Sequence, residues 1–114
     1  MNLLDTGILI DNMEKDNYAP AIISSITLIE VLRGVEDKKR LQTRQLLEES
    51  FSILNLNYSI IEAYCKIYRK LKEDGNLLPD ADIIIAATAI AHDLVLETKD
   101  VHFLRLKSLG LKMK

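Results

Sequence analysis

The chain has only one cysteine and no long apolar run, and these two features exclude certain classes of protein. One cysteine excludes an intramolecular disulfide, and Cys65 lies among helical core positions, so we expect a small buried side chain in a protein of the reducing cytoplasm. No apolar stretch reaches the length of a membrane span, and the N-terminus lacks the basic-then-apolar pattern of a signal peptide. There is no internal repeat, low-complexity tract or linker, so residues 1–114, 48% of them hydrophobic, are expected to form one domain.

Short apolar segments alternate with helical patterns along the chain. Strands are predicted at residues 2–4, 21–24, 52–56, 94–98 and 111–113, and helices at 6–13, 27–34, 38–50, 59–74, 80–92 and 101–108. The segment 80–92 is apolar almost all round, which places it in the interior. This alternation predicts an α/β fold with a central parallel sheet and helices on both faces. In such sheets, sites form outside the carboxyl ends of the strands.

Four acidic residues lie at segment junctions or in apolar surroundings. Asp5 and Asp100 follow predicted strands, Asp82 lies near the start of a helix, and Glu30 interrupts the apolar stretch 26–32. Carboxylates beside so much apolar surface are costly unless something compensates them. Gathered at one point, they would repel one another and require hard divalent cations such as Mg²⁺. We therefore predict that the four converge at one end of the sheet.

Each of these acids also has a purely structural explanation. Three of them lie near predicted helix starts, where Asp is favoured by capping and by the helix dipole. Glu30 could pair with Arg33 one turn further along its helix. Asp80, which follows Pro79, is the better candidate for capping the helix 80–92, and this leaves Asp82 available for another role.

The net charge of −2 at first argues against a nucleic-acid partner. If the four acids are left out, the chain has 13 acidic side chains against 15 Lys and Arg, a net charge of +2. The acidic net charge of the whole chain therefore does not exclude a polyanionic substrate. Basic faces of helices are often merely solvated, but two clusters are candidates for phosphate contacts. They are Lys66, Arg69 and Lys70 on one helical face, and Lys38, Lys39, Arg40 and Arg44 elsewhere.

Four stretches carry a family resemblance, in order and over nearly the whole chain. They are LDTGILID at 4–11, SSITLIEVLRG at 24–34, DIIIAATA at 82–89 and LETKDVHF at 96–103. Together they resemble a PIN domain, and more closely the toxin ribonucleases of VapC type. The third stretch, followed later by Thr-x-Asp, is the more specific part of the pattern.

The resemblance implies a PIN-like fold and an endoribonuclease that depends on Mg²⁺ or Mn²⁺. Asp5, Glu30 and Asp82 would be the three core metal-binding acids and Asp100 the fourth, more variable one. Thr98 would be a hydroxyl that orients water or a carboxylate; otherwise it is an ordinary β-branched strand residue. The resemblance also implies a homodimer and the toxin of a VapBC-type pair, held inactive by an antitoxin that enters the acidic groove.

The residue types agree with that chemistry. Phosphodiester hydrolysis requires a hydroxide nucleophile at neutral pH and neutralised charge on the phosphate, and carboxylate-bound metal ions supply both. No His, Cys or Lys nucleophile is required. His92 and His102 do not have the spacing of metal ligands and are expected at the surface or in packing.

Other functions remain open at this point. A Mg²⁺-binding receiver domain of a signalling pathway is also doubly wound, but the strand at 52–56 is followed by Asn57, with no acceptor Asp, and Glu30 would have no role. A PIN-like scaffold that binds partners without cleaving, and a housekeeping RNA-processing enzyme, are further alternatives. The apolar stripe of Tyr64, Ile67, Tyr68 and Leu71, with the leucines of 38–50, offers surface for a second chain.

Overall fold

Five short strands form one parallel sheet in the computed structural model, which describes residues 1–114. The strands are β1 (Leu3–Leu4), β2 (Ile22–Ser24), β3 (Ser52–Leu54), β4 (Val95–Glu97) and β5 (Lys112–Met113). Their order is β3-β2-β1-β4-β5, with every neighbouring pair parallel. The first strand is therefore the central one. This order differs from the 2-1-3-4-5 order of receiver domains, so the receiver alternative is wrong.

Six helices connect or follow the strands. They are α1 (Thr6–Glu14), α2 (Ser25–Leu32), α3 (Asp37–Ser50), α4 (Tyr58–Glu73), α5 (Asp80–Ala91) and a final 3-10 helix (Val101–Leu109). The helix α2 begins two residues before the predicted start, because the Ser24 side chain caps it by accepting a hydrogen bond from the Ile26 amide at 3.2 Å. After the end of α4, Gly75 has a φ of 69°, a left-handed conformation that glycine adopts readily and that commonly ends helices.

The two residues of β1 divide the core between the two faces of the sheet. Leu3 packs in a cluster with residues of α4, α5 and the final helix, whereas Leu4 packs with residues of α1 and α3. Successive side chains of a strand point to opposite faces, so one dipeptide contributes to both layers. The predicted arrangement of helices on both faces is confirmed.

Cys65 is exposed, so the prediction that it is buried was wrong. The buried residues of α4 are Ile60, Ile67 and Leu71. At about 100° per residue, Cys65 lies roughly 140° round the helix from Ile60 and roughly 160° from Ile67, on the side away from the sheet. None of the helices combines the length and the hydropathy needed to traverse a lipid bilayer.

Candidate active site

Asp5 occupies the point where the central strand ends and α1 begins. Its Oδ1 caps α1 by accepting a hydrogen bond from the Ile8 amide at 3.0 Å. The residue is only 8% exposed. Its Oδ2 accepts a hydrogen bond from the Thr98 hydroxyl. Thr98 follows β4, which pairs with β1, so parallel pairing brings these two segment ends together. Capping and membership of a site are therefore compatible roles for one carboxylate, whose oxygens carry further lone pairs.

Asp100 lies beside the same pair. The Thr98 hydroxyl oxygen accepts a hydrogen bond from the Asp100 amide at 3.0 Å, so Thr98 connects Asp5 to the segment that carries Asp100. The Asp100 carboxylate caps the final helix and accepts hydrogen bonds from the His102 amide at 2.9 Å and from His102 Nδ1 at 2.8 Å. The hydrogen bond from the His102 backbone amide is the main cause that lowers the pKa of Asp100, and burial acts in the opposite direction.

Glu30 reaches the cleft from α2 and is oriented by two threonines. The Thr6 hydroxyl donates a hydrogen bond to Glu30 Oε1 at 2.7 Å, and its oxygen lies 3.0 Å from the hydroxyl oxygen of Thr27. Because Thr6 has one hydroxyl proton and gives it to Glu30, the fully buried Thr27 must donate to Thr6. Arg33 lies 3.6 Å from Glu30 Oε2, as its spacing predicted.

Asp82 is the third residue of α5 and makes no hydrogen bond through its side chain. Burial is the largest cause that raises the pKa of its carboxyl, and the charges of Asp100, Glu30 and Asp5 raise it further. The three charges that raise the pKa are those of the other predicted site acids, so Asp82 lies close to all of them.

Asp80 does not cap α5, contrary to the prediction. Pro79 occupies the cap position, and no side chain bonds to the free amides there. Asp80 instead accepts a hydrogen bond from the Tyr64 hydroxyl of α4 at 2.6 Å, which is the main reason that the pKa of Tyr64 is raised to about 12. The capping pattern failed because a partner sixteen residues away in sequence competes for that carboxylate.

The four predicted acids line one cleft of about 300 Å³ at the carboxyl ends of the strands. Thr6, Asp11 and Lys99 also line it, and the Lys99 ammonium nitrogen lies 3.5 Å from Asp11 Oδ2. The two predicted basic clusters lie outside the cleft. Most of their members pair with acids of the same helix or directly next to one of its ends, in the ion pairs Lys38–Glu36, Arg40–Asp37, Arg44–Glu48, Arg69–Glu73 and Lys70–Asp74.

The residues of the cleft suit a hard divalent cation by their chemistry. All four predicted ligands are carboxylates, the oxygen donors that Mg²⁺ prefers. Burial and, after it, the charges of the other three carboxylates raise the pKa of Asp82. No three side chains of the ligand types His, Cys, Asp and Glu converge on a single point. Holding one ion between them therefore requires the carboxylates to rotate toward each other, which mutual repulsion opposes in the absence of a cation.

Sequence reasoning did not single out Thr6, Asp11 or Lys99 as residues of the cleft. The signals were present: Thr6 follows Asp5, Asp11 lies on the same helix as Thr6, and Lys99 lies between Thr98 and Asp100. Each contact joins segments distant in the chain, so only the fold shows which of these polar side chains meet.

Comparison with known proteins identifies the family to which this chain belongs. The model of the PIN domain family matches residues 3–109. A Ribonuclease VapC1 of Methanocaldococcus jannaschii is 42% identical over 97% of this chain and 85% of its own length, and a Ribonuclease VapC1 of Rickettsia felis is 30% identical over 94% and 91%.

Among solved structures, VapBC-1 from nontypeable Haemophilus influenzae is 26% identical and superimposes with a TM-score of 0.84, covering 99% of this chain and 96% of that one. A toxin-antitoxin complex from Klebsiella pneumoniae is 32% identical with a TM-score of 0.72, covering 90% of both chains. The chain belongs to the PIN domain family, and within it to the VapC type.

Proposed function

We propose that this chain is a divalent-metal-dependent endoribonuclease and the toxin of a VapBC-type pair. The observation that carries the proposal is the cleft itself. Carboxylates from four separate segments line it at the carboxyl ends of the strands, in a chain similar to proteins named Ribonuclease VapC1. So concentrated a negative charge destabilises the fold unless a cation neutralises it, which favours a functional reason for its presence.

Asp5, Glu30, Asp82 and Asp100 would hold Mg²⁺ or Mn²⁺ in this cleft. When bound, the metal supplies a hydroxide nucleophile at neutral pH and neutralises charge on the phosphate and on the leaving oxygen. The chain itself orients the carboxylates. Thr98 donates to Asp5, and the amide of Ile8 fixes the other oxygen of that carboxylate at 3.0 Å.

Glu30 and Asp82 would contribute in different ways. Glu30 is held by the Thr6 hydroxyl at 2.7 Å, so its direction is set before a cation arrives. Asp82 has no such bond, and its raised pKa makes it the carboxylate whose charge a cation would relieve most. Preorganisation of three ligands and adaptability of the fourth suit a site that must accept metal and RNA together.

The proposed partners are an RNA substrate, an antitoxin and a second copy of the chain, all in the cytoplasm. Support for the antitoxin comes from the similar solved structures, which are described as VapBC or toxin-antitoxin complexes. An antitoxin segment that enters the acidic cleft would exclude RNA from it. Exposed apolar side chains on α3 and at the start of α4 leave surface for such partners.

Cleavage of single-stranded and structured RNA by the purified chain, with Mn²⁺ or with chelator, tests this proposal. We expect cleavage only with the metal, and a loss of at least about a hundredfold in kcat/KM for Asp82→Asn and Asp5→Asn. The matched control Asp80→Asn removes a charge two residues from Asp82 and should retain activity. Cleavage that continues in chelator would overturn metal dependence, and an essential Asp80 with a dispensable Asp82 would overturn the assignment.

The antitoxin is tested by expressing the chain together with the product of the neighbouring gene. We expect the two to purify as a complex in which RNA cleavage is suppressed. An active chain that the neighbouring product neither binds nor inhibits would favour a stand-alone RNA-processing nuclease.

A further inference from the structure

Lys99 is the only basic residue that lines the acidic cleft. Its position is set by its neighbours in the chain, because Thr98 is bonded to Asp5 and the Asp100 amide is bonded to Thr98. Its ammonium nitrogen lies 3.5 Å from Asp11 Oδ2, and the two side chains are 76% and 44% exposed. The Lys99 ammonium group, the positive charge of the cleft, is therefore largely exposed to solvent, and its ion pair with the exposed Asp11 is weak.

We propose that Lys99 binds an RNA phosphate that flanks the cleaved one, and that Asp11 holds the ammonium group at the cleft until RNA replaces that carboxylate. This inference rests on the proposed ribonuclease function. Five carboxylates line the cleft, so a polyanion meets repulsion there even when metal neutralises part of the charge. Phosphate oxygens are strong acceptors for a compact ammonium group, whereas an exposed ion pair is readily exchanged.

The alternative is that the Lys99–Asp11 pair only ties the end of β4 to α1. The two roles predict different signs for Asp11→Asn. If Asp11 competes with RNA for Lys99, removing its charge strengthens RNA binding. If the pair is a tether, removing either partner loosens the cleft, and both variants then weaken binding or catalysis.

The ion pair between Lys112 and Asp93 provides a matched control. Its atoms lie 2.7 Å apart and its side chains are 54% and 84% exposed, so it is another exposed lysine–aspartate pair distant in sequence. Lys112 pairs in register with Val95, the first residue of β4, which places it at the amino ends of the strands, opposite the cleft. Lys112→Ala changes the net charge as Lys99→Ala does, but away from the cleft.

The experiment measures kcat and KM for a fluorogenic RNA in Mn²⁺, together with the salt dependence of RNA binding in the non-cleaving Asp82→Asn background. We expect Lys99→Ala to raise KM about tenfold with kcat within about twofold of the parent, and to reduce the log–log salt slope by about 0.7. Lys99→Arg should restore most of the binding, Asp11→Asn should lower KM, and Lys112→Ala should leave both constants unchanged.

Equal KM values for Lys99→Ala and Lys112→Ala, or a KM that rises in Asp11→Asn, would overturn the inference while leaving the ribonuclease function intact. If the parent chain cleaves no RNA, the proposed function fails and the salt slope of binding alone decides the role of Lys99. A parent chain that neither cleaves nor binds RNA overturns both.

Discussion

At the scale of single residues, three of the four carboxylates in the cleft are held by hydrogen bonds and one is not. Asp5, Glu30 and Asp100 accept bonds from Thr98, Thr6 and His102 respectively, whereas Asp82 accepts none. Hydrogen bonds to the ionised form compensate a carboxylate for lost hydration. Asp82 lacks that compensation and is also close to the other charges, which explains why its pKa is raised.

Removing the charge of Asp82 should stabilise the metal-free protein. Because the folded-state pKa of Asp82 is raised, its ionisation costs stability at every pH above the unfolded value of about 3.9, and the cost is absent below that value. Asp82→Asn cannot ionise, so in chelator at pH 7 we expect a higher melting temperature than the parent, with the difference closing near pH 4. Mn²⁺ should raise the midpoint of the parent more than that of the variant.

Thermal melts across pH 4 to 8, with chelator and with millimolar Mn²⁺, check this expectation. A lower midpoint for Asp82→Asn at pH 7 in chelator, or a difference that does not change with pH, would contradict it. Asp5→Asn is a less direct test, since an amide cannot accept both of the bonds that the Asp5 carboxylate accepts.

Thr6→Val should impair catalysis by releasing Glu30 while leaving the shape of the site nearly unchanged. The substitution removes the hydroxyl that donates to Glu30 at 2.7 Å and also leaves the buried hydroxyl of Thr27 without its partner. Loss of a residue that orients a metal ligand typically costs about 10- to 100-fold in metal affinity or activity, and we expect that range here. Thr6→Ser should retain activity.

The matched control for Thr6→Val is Thr88→Val. Thr88 is fully buried and donates to the Ile84 carbonyl of its own helix, so the same substitution there disturbs a buried helix without touching the cleft. Titration of activity with Mn²⁺ measures both variants. Equal apparent metal affinity in Thr6→Val and Thr88→Val would show that the Thr6–Glu30 bond has no part in metal binding.

At the scale of elements, the start of α5 decides where Asp82 lies. Its first turn has no side-chain cap, and Asp80 is instead bonded to Tyr64 of α4 at 2.6 Å. The preceding loop is held at the Asn76 carbonyl by Arg105 of the final helix at 2.8 Å. Two neighbouring helices therefore hold a helix start that lacks a cap of its own.

Tyr64→Phe should loosen the first turn of α5. Loss of one hydrogen bond of about 1 kcal/mol increases local opening about fivefold, so we expect faster amide exchange at Ile83 and a higher Mn²⁺ concentration for half-maximal activity. Asp80→Asn keeps an acceptor for Tyr64 and should behave like the parent. Hydrogen exchange followed residue by residue is the measurement, and an unchanged rate at Ile83 in Tyr64→Phe would contradict the proposed tether.

At the scale of the whole molecule, the chain leaves large apolar side chains uncovered. The stripe predicted for partners is mostly buried, since Ile67 and Leu71 are each 2% exposed and their neighbouring tyrosines are partly buried. Exposed apolar residues lie instead on α3 and around the start of α4: Leu41, Leu46, Leu56, Tyr58 and Ile61. Only Leu47 of α3 is buried, so this helix is weakly covered by its own chain.

We expect the purified chain to sediment as a dimer at micromolar concentration. Ile61 is 49% exposed and adjoins an apolar cavity of about 170 Å³, so Ile61→Glu should shift the chain toward monomer by placing a charge in the contact. Leu104→Glu is the control, because Leu104 is 50% exposed on the final helix. A monomeric parent, or equal effects of the two substitutions, would contradict a dimer through the start of α4.

The order of apolar segments and the position of acids after them already determined the class of fold and the candidate ligands. Strands of two or three residues are recognisable because they are apolar and alternate with helices, and parallel strands bring their carboxyl ends to one edge. Asp5 and Asp100 follow two such strands, so their proximity could be inferred without coordinates. Their roles as metal ligands stay a prediction.

Only the tertiary structure decided which polar groups bond to one another. Asp80 has the sequence pattern of a cap but accepts from Tyr64, and Thr6 orients Glu30 from another helix. The Lys99–Asp11 pair joins residues 88 positions apart. Local patterns report the preferences of one segment for helix, strand or cap. A side-chain hydrogen bond instead depends on the relative placement of two packed elements within a few tenths of an ångström, which no single segment encodes.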